Sequence, residues 1–404
     1  MLQDRKLTID DLDIRDKQVL VRVDYNVPLH NGVIEDDNRI RATLPTLRKV
    51  LDDGGILVLI SHCGRPNGRV DPSLSLAPVA KRLGELLGKH IKFVPDCVGE
   101  KAREARSKAT RGDILLMENL RFHAEETDND EDFARQLAEG ADIYINEAFS
   151  TSHRAHASTV TITKFIEQAA AGYLLLHEIE IFENVLNNPN RPFVSIIGGI
   201  KVSTKIGVIE NLLGVCDEIL IGGAMACTFF ESLGIMAGSS LCEHDQMDTA
   251  RRILEKAGAT EPKTGQLLLP LDAIVTDKIS PDGKRVIASF DSIPEGMTVV
   301  DIGPDTIARF RKQIENAQTI IMNGPLGVFE IEQFSHGTRE IFKMLVERAE
   351  SGANVVIGGG DSAYAARKYG FDTHMTHVST GGGASLKFLE GKPLPAVEAL
   401  TEKS

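Results

Sequence analysis

Short β-branched runs alternate with amphipathic stretches from one end of this chain to the other, the pattern of parallel sheets with helices on both faces. The runs predict strands at 19–24, 56–60, 91–94, 113–117 and 142–145 in the first half. In the second half they predict strands at 193–197, 218–221, 298–302, 319–322, 354–357 and 375–378. Between the two sets Leu175, Ile179, Phe182 and Leu186 keep a helical apolar spacing, and the chain then breaks at Asn-Asn-Pro-Asn-Arg-Pro, residues 187–192. A boundary at that break suits a chain of 404 residues, since one hydrophobic core rarely organises more than roughly 250. The reading is an α/β chain of two parallel-sheet domains: 1–173, a joining helix and hinge over 174–192, and 193–390. The tail over 391–404 contains Pro393 and Pro395, and its short helical pattern suits a crossing to the other domain.

In open parallel sheets ligands bind beyond the carboxyl ends of the strands, so the residues just after each run carry the functional information. In the first half these are cations and hydrogen-bonding groups: Arg22, Asp24 and Asn26, then His62 and Arg65, then Arg121, then His153 and Arg154, with Arg39 after the first loop. A single basic residue there is ordinarily a solvated surface charge. Repeated after four strands, guanidinium forks suit a small carboxylate or phosphate that each can bind bidentately. The formal charge of −13 makes this local concentration informative, and it excludes a nucleic-acid partner, which needs a broadly basic surface.

The second half places glycine at the same positions: Gly198-Gly199, Gly222-Gly223, Gly303, Gly324, Gly358-Gly359-Gly360 and Gly381-Gly382-Gly383. One such site can serve only a turn; six of them suit phosphate oxygens approaching bare backbone N–H groups at helix starts. Lys201 and Lys205, four residues apart, are expected on one face of the first helical turns, as a basic face or as a phosphate clamp. Asp361 and Ser362 are candidates to hold Mg²⁺ on the phosphates or to cap the helix that starts there. Gly358, Gly360 and Ala363 fit the dinucleotide pattern, but no acidic residue ends the following strand to hold a ribose, which weakens a dehydrogenase reading. The P-loop signature is missing from the sequence, and a non-catalytic nucleotide sensor would leave the basic cluster without a substrate.

The five cysteines, an odd set without closely spaced pairs, fit a reducing cytoplasm. The start of the chain has no signal-peptide pattern, and no apolar run is long enough to span a membrane.

The stretches RVDYNVP, SHCGRP, PDCVGE, ENLRFH, HRAHAST, GGIKVSTKIGVI, NGPLGVFE, GGGDSA and STGGGASL, taken in order from about residue 18 to about 400, closely resemble the phosphoglycerate kinase family. The resemblance implies two Rossmann-like domains joined by a helical hinge, 3-phosphoglycerate on the first and Mg-ATP or Mg-ADP on the second. It implies a monomeric glycolytic kinase that moves a phosphoryl group between 1,3-bisphosphoglycerate and ADP, giving 3-phosphoglycerate and ATP. By position, it implies that Asp24, Asn26, His62, Arg65, Arg121 and Arg154 bind phosphoglycerate and that Arg39 reaches its carboxyl end and the transferring group. Lys201 is then expected to stabilise that group, Lys205 and Asn323 to hold nucleotide phosphate, Glu330 the ribose and Asp361 the metal. Gly381 to Gly383 would meet the phosphoryl with a helix N-terminus. The chain departs from the family pattern at Cys63, Glu147, Ser150, Ser152, Ile200 and Met322, none of which removes a charged ligand. Cys63 lies between His62 and Gly64; strand alternation turns it inward if His62 faces a ligand, so an inert thiol is expected.

Overall fold

The runs of Val, Ile and Leu are strands covered on both sides, which is why they read as continuous apolar segments rather than as alternating ones. The computed structural model describes residues 2–259 and 265–403. The first sheet is formed by β1 (Gln18–Arg22), β2 (Ile56–Ile60), β3 (Lys92–Val94), β4 (Ile114–Met117), β5 (Ile143–Asn146) and β6 (Gln168–Ala171). Its strands are all parallel, in the order β3-β4-β2-β1-β5-β6. The second contains β7 (Phe193–Ile197), β8 (Glu218–Ile221), β9 (Leu267–Leu268), then β13 (Thr319–Asn323), β14 (Asn354–Gly358) and β15 (His377–Val378). It is likewise parallel, in the order β9-β8-β7-β13-β14-β15. Each sheet packs its own core: Val19, Val21, Leu57, Leu59, Leu116 and Ile145 in the first, Val194, Ile196, Ile320, Met322, Val355 and Ile357 in the second.

The expected strand at 298–302 exists but does not join the second parallel sheet. It is β12 (Thr298–Ile302), antiparallel to β10 (Asp272–Thr276), which also pairs antiparallel with β11 (Val286–Ser289). This third sheet surrounds a small core of Ile274, Val300 and Phe334. Gly303, which follows β12, therefore lies beside that sheet and not at a parallel strand end. The strand β6 was not expected, because Ala169, Ala170 and Ala171 carry no β-branched signal; burial between neighbours selects the extended form.

By their contacts the residues divide into two units, Met1–Glu180 with Pro393–Ser404, and Ile181–Lys392. The helix α2 (Tyr173–Asn187), which follows α1 (Asn38–Asp52) in our numbering, carries the chain from one to the other. The division falls after Glu180, inside the helix and ahead of the Asn-Asn-Pro-Asn-Arg-Pro break. The tail covers the edge of the first sheet: Thr401 N donates to Ala169 O at 2.9 Å, and Leu7 N to Thr401 O at 2.8 Å. Lys6, buried, donates from Nζ to the carbonyls of Glu398 at 2.7 Å and Leu400 at 2.9 Å.

Glu147 fixes where α2 begins. It is fully buried just beyond β5, and its carboxylate accepts from Leu174 N at 3.1 and 3.2 Å, in the first turn of α2. The neighbouring Tyr173 N donates to Thr46 Oγ1 of α1 at 2.9 Å. Burial pushes the Glu147 carboxyl up to about 7, although Thr46 and the N–H groups of Leu174 and Leu175 favour the ionised form. Between the unfolded value near 4.5 and 7, the folded protein therefore holds a proton that the unfolded chain has lost, so stability falls as pH rises through this window and is level above it. We predict that the stability advantage of the parent over Glu147→Gln shrinks by about 3 kcal/mol between pH 4.5 and 7, measured by urea unfolding. Parallel stability curves for the two proteins would show that this carboxyl titrates normally.

Candidate functional site

The register of β1 sets the first site. Arg22 is level with Ile60 of β2 and Asn146 of β5, so Asp24, His62 and the turn Phe149–Thr151 leave the sheet together. Asp24 is the centre. One carboxylate oxygen accepts from Arg39 Nη1 at 2.5 Å and from Ser150 Oγ. The other accepts from Asn26 N at 3.1 Å and lies 3.6 Å from His62 Nδ1. Burial opposes ionisation of Asp24, but Arg39, the Ser150 hydroxyl and Arg22 outweigh it and hold its carboxyl below the usual carboxylate range. His62 itself is neutral: burial, with Arg22, Arg121 and Arg39 nearby, pulls it well below 6.5 against the attraction of Asp24. Its Nδ1 lies 3.3 Å from Arg22 Nη2, a group that can only donate, so Nδ1 accepts and the ring proton is on Nε2. The guanidinium groups and the Ser150 hydroxyl, rather than an imidazolium, thus keep Asp24 ionised.

Arg22 departs from its expected place in a ligand's contact shell. It is fully buried and donates to Ser158 Oγ at 2.8 Å, to Val23 O and to His62, with Glu126 3.9 Å away. It supports His62 from beneath. The open cations are Arg65 and Arg154, which with Arg121, Asn67, Gly68, His123 and Thr127 line a pocket of about 300 Å³. Arg121 donates from Nη1 to Gly64 O at 2.8 Å, while its buried Nε has no hydrogen-bond partner. Burial, then Arg22 and Arg154, lower its pKa to about 10, so it remains charged at neutral pH. Arg154 Nε donates to His153 Nε2 at 3.0 Å, and Gly64 N donates to Asn26 Oδ1 at 2.8 Å, tying the remaining expected residues to the same rim. Three guanidinium groups around one cavity, one with an unpaired donor, are the complement of a small phosphorylated anion.

Although Ser150, Asp24 and His62 adjoin one another, they do not form a nucleophilic triad, because the hydroxyl bonds to the carboxylate and not to the imidazole. Among the described residues, Asp96, Cys97 and His123 are grouped as metal ligands could be, with donor atoms within 4.8 Å of one another. The 3.0 Å Asp96–His123 contact and the buried thiol, held protonated by burial and by Asp96, Glu126 and Glu118, satisfy this group without an ion.

The second unit's site is built from backbone. Ile197, Asn323 and Gly358 end adjacent strands, and the loops after them cross closely: a Cβ on Gly324, at φ +100°, would lie 2.2 Å from Gly198 O. A Cβ on Gly223 would lie 2.5 Å from Gly199 O, and one on Gly222 2.6 Å from Leu326. These glycines serve the crossing itself. Helices α4 (Gly360–Lys368) and α5 (Gly382–Leu389), which follow α3 (Ile206–Leu212), start side by side; a Cβ on Gly382 would lie 3.0 Å from Gly360 N. Neither Gly359 nor Gly381 supplies a side-chain cap, so two sets of unfilled helix-start N–H groups converge.

Lys201 and Lys205 do not share a helical face. Lys201 is extended, at φ −114° and ψ 125°, Val202–Thr204 is a single 3-10 turn, and α3 begins only after Lys205. The exposed Lys201 and the half-buried Lys205 nevertheless flank the same strand end. Lys205 Nζ donates to Asn323 Oδ1, while the buried Asn323 Nδ2 has no partner. Burial lowers the Lys205 pKa to about 8 against the pull of Asp361 and Glu390. Asp361 is exposed in the first turn of α4 and accessible to a cation. Ser362 is not: fully buried, it accepts from Gly324 N at 2.6 Å and pins the loop. Glu330 is exposed beyond β13, its backbone carbonyl held by Lys368 Nζ at 2.9 Å.

Ser150, named in the sequence only as a departure from the family pattern, lies on Asp24, and Asn119, which the sequence reading left out, donates to the carbonyls of Cys63 at 2.7 Å and Leu74 at 3.0 Å. Asn119 and His123 stand inside ENLRFH beside Arg121, which was a usable signal; Thr127 carried none. Cys63 is in the hydrophobic core, 2% exposed, and burial, followed by Asp24 and Glu118, raises its thiol to about 11. We predict slow alkylation of Cys63 that ligands leave unchanged and a Cys63→Ser protein within about threefold of the parent kcat. Rapid labelling blocked by a bound anion would place the thiol in the site.

The sequence model of the family described as Phosphoglycerate kinase matches residues 9–392. A phosphoglycerate kinase of Chloroherpeton thalassium is 48% identical over 397 residues, covering 98% of this chain and 99% of that protein. One from Thermosipho africanus is 49% identical over 399 residues, covering 98% of each. Among solved structures, phosphoglycerate kinase from Coxiella burnetii superposes with a TM-score of 0.85 at 40% identity, and that from Pyrococcus horikoshii with 0.83 at 32%; each comparison covers 98% of both chains.

Proposed function

This chain belongs to the phosphoglycerate kinase family, and we propose that it transfers a phosphoryl group reversibly between 1,3-bisphosphoglycerate with ADP and 3-phosphoglycerate with ATP, each unit holding one substrate. The observation that carries the division is the contrast in chemistry: guanidinium groups around a 300 Å³ pocket in the first unit, and paired, uncapped helix starts in the second.

In this reading the phosphate of 3-phosphoglycerate occupies the pocket of Arg65, Arg121 and Arg154, with Asn26 and His153 at its rim. Asp24, an ionised carboxylate that only accepts hydrogen bonds, meets the one donor the substrate has, its hydroxyl, and neutral His62 donates from Nε2. Arg39 lies beside the substrate carboxylate. That carboxylate is the nucleophile toward ATP and is already ionised at neutral pH, so no general base is required. The work left to the protein is alignment and neutralisation of charge spread over the moving phosphoryl oxygens. Arg39, Lys201 and the N–H groups of Gly382 and Gly383 supply it, while the N–H of Gly381, expected to join them, donates to Ser379 Oγ at 3.1 Å and shapes the turn. Lys205, the unpartnered amide of Asn323, and the Gly358-Gly359-Gly360 turn hold nucleotide phosphates, with Glu330 at the ribose.

The exposed carboxylate of Asp361 fits Mg²⁺, which favours one or two protein oxygens together with phosphate oxygens. Bound there, Mg²⁺ would screen phosphate charge. Because the two substrates are assigned to different units, turnover requires them to be brought into line, and we place that movement at 174–192. Among the described residues no helix is long and apolar enough to cross a membrane; a cytoplasmic monomer is the form we propose.

A coupled assay for 1,3-bisphosphoglycerate formation from 3-phosphoglycerate and Mg-ATP tests the reaction directly. Arg39→Ala and Lys201→Ala should lower kcat on the order of 10²-fold or more with smaller changes in KM, whereas Arg65→Ala should act mainly on KM for phosphoglycerate. A near-normal kcat in Lys201→Ala would remove that residue from the mechanism, and NAD turnover without phosphoryl transfer would overturn the reaction class.

A further inference from the structure

Three donors converge on Asp24, two of them on one oxygen, and the remaining side of the carboxylate faces the unprotonated Nδ1 of His62. An ionised carboxylate offers about four lone-pair positions. Arg39 Nη1 and Ser150 Oγ take one oxygen; Asn26 N takes the other, with His62 Nδ1 3.6 Å away. Arg39 and Asn26 belong to the binding apparatus or to its backbone. Ser150 does not. It stands in the single 3-10 turn Phe149–Thr151, is half-exposed, and presents a hydroxyl to Asp24 just as a hydroxy acid would.

We propose that Ser150 is an internal stand-in for the substrate hydroxyl: its Oγ occupies the Asp24 lone pair that 3-phosphoglycerate must claim, and substrate binds by displacing it. This rests on the assignment of Asp24 to the substrate hydroxyl. Two consequences follow from the geometry. In the free enzyme the hydroxyl fills the second position on the buried carboxylate oxygen that Arg39 also engages, and so keeps Asp24 oriented and its contact with Arg39 in place. On binding, one hydrogen bond to a charged acceptor is exchanged for another, so the substrate hydroxyl contributes less affinity than it would to an unoccupied acceptor. Ser150 is therefore a positioning residue that sets how strongly the site distinguishes a hydroxy acid from its deoxy counterpart.

Calorimetric binding of 3-phosphoglycerate and of 3-phosphooxypropanoate, the same ligand without the hydroxyl, separates this role from a structural one. Ser150→Ala should tighten 3-phosphoglycerate by about ten- to a hundredfold, the range of one hydrogen bond to a charged group no longer displaced. It should leave 3-phosphooxypropanoate unchanged, and Ser150→Thr, which keeps a hydroxyl, should restore the parent preference. Equal changes for both ligands, or weaker binding of 3-phosphoglycerate, would contradict the proposal. Asp24→Ala separates the two levels of the argument. If it abolishes the preference for the hydroxylated ligand while Ser150→Ala does not raise it, the Asp24 assignment stands and the role of Ser150 falls; if it leaves the preference intact, both fall.

Discussion

Where the parallel ladders end decides what these loops can hold. Arg22 pairs with Ile60 and Asn146, so the backbone leaves β1, β2 and β5 at one level and brings Asp24, His62 and Ser150 together from positions up to 126 residues apart. Asn323 is level with Ile197 and Gly358 in the second sheet, and there the converging parts are loops without side chains. A one-residue slip would move every side chain to the opposite face, and because both faces are closely packed the fit of side chains on each holds the register and, through it, both sites. The same geometry therefore builds two unlike anion sites, one from guanidinium groups and one from N–H groups.

Burial gives the charged groups their effect. A chain with a formal charge of −13 repels anions at long range, but salt screens that field within about 10 Å, and partly buried cations act at contact in a poorer dielectric. Arg121 and Lys205 have lowered pKa values chiefly because they are desolvated, not because they are neutralised. An incoming phosphate would supply the missing counter-charge. The unpartnered Nε of Arg121 and Nδ2 of Asn323 agree with this from the hydrogen-bond side, since each is a buried donor that a bound anion would satisfy.

Much of this was legible in the sequence because the signals were physical. Strands buried on both faces appear as unbroken apolar runs, and ten of the eleven expected segments fall in the two parallel sheets at nearly the expected positions, 298–302 being the exception. What could not be read is depth and partnership. Arg22 and Ser362 have the composition of ligand-binding residues, yet their neighbours Ser158, Glu126 and Gly324 engage them within the protein. The four-residue spacing of Lys201 and Lys205 implied one helical face only if a helix was already present, and a 3-10 turn came first. The alanines of β6 and the antiparallel β10-β11-β12 sheet owe their form to tertiary neighbours that no local window contains.

The central claim is that the two units recognise separate substrates by different means, and hydrogen exchange with each ligand supplied alone tests it most directly. 3-Phosphoglycerate by itself should slow exchange at the loops carrying Asp24, His62, Arg121 and Arg154 and leave the second unit unchanged. Mg-ADP by itself should slow exchange at Lys205, Gly324, Gly360 and Gly382 and leave the first unit unchanged. Protection of the Gly360 and Gly382 helix starts by 3-phosphoglycerate alone, or of the Arg121 and Arg154 loops by Mg-ADP alone, would contradict the account.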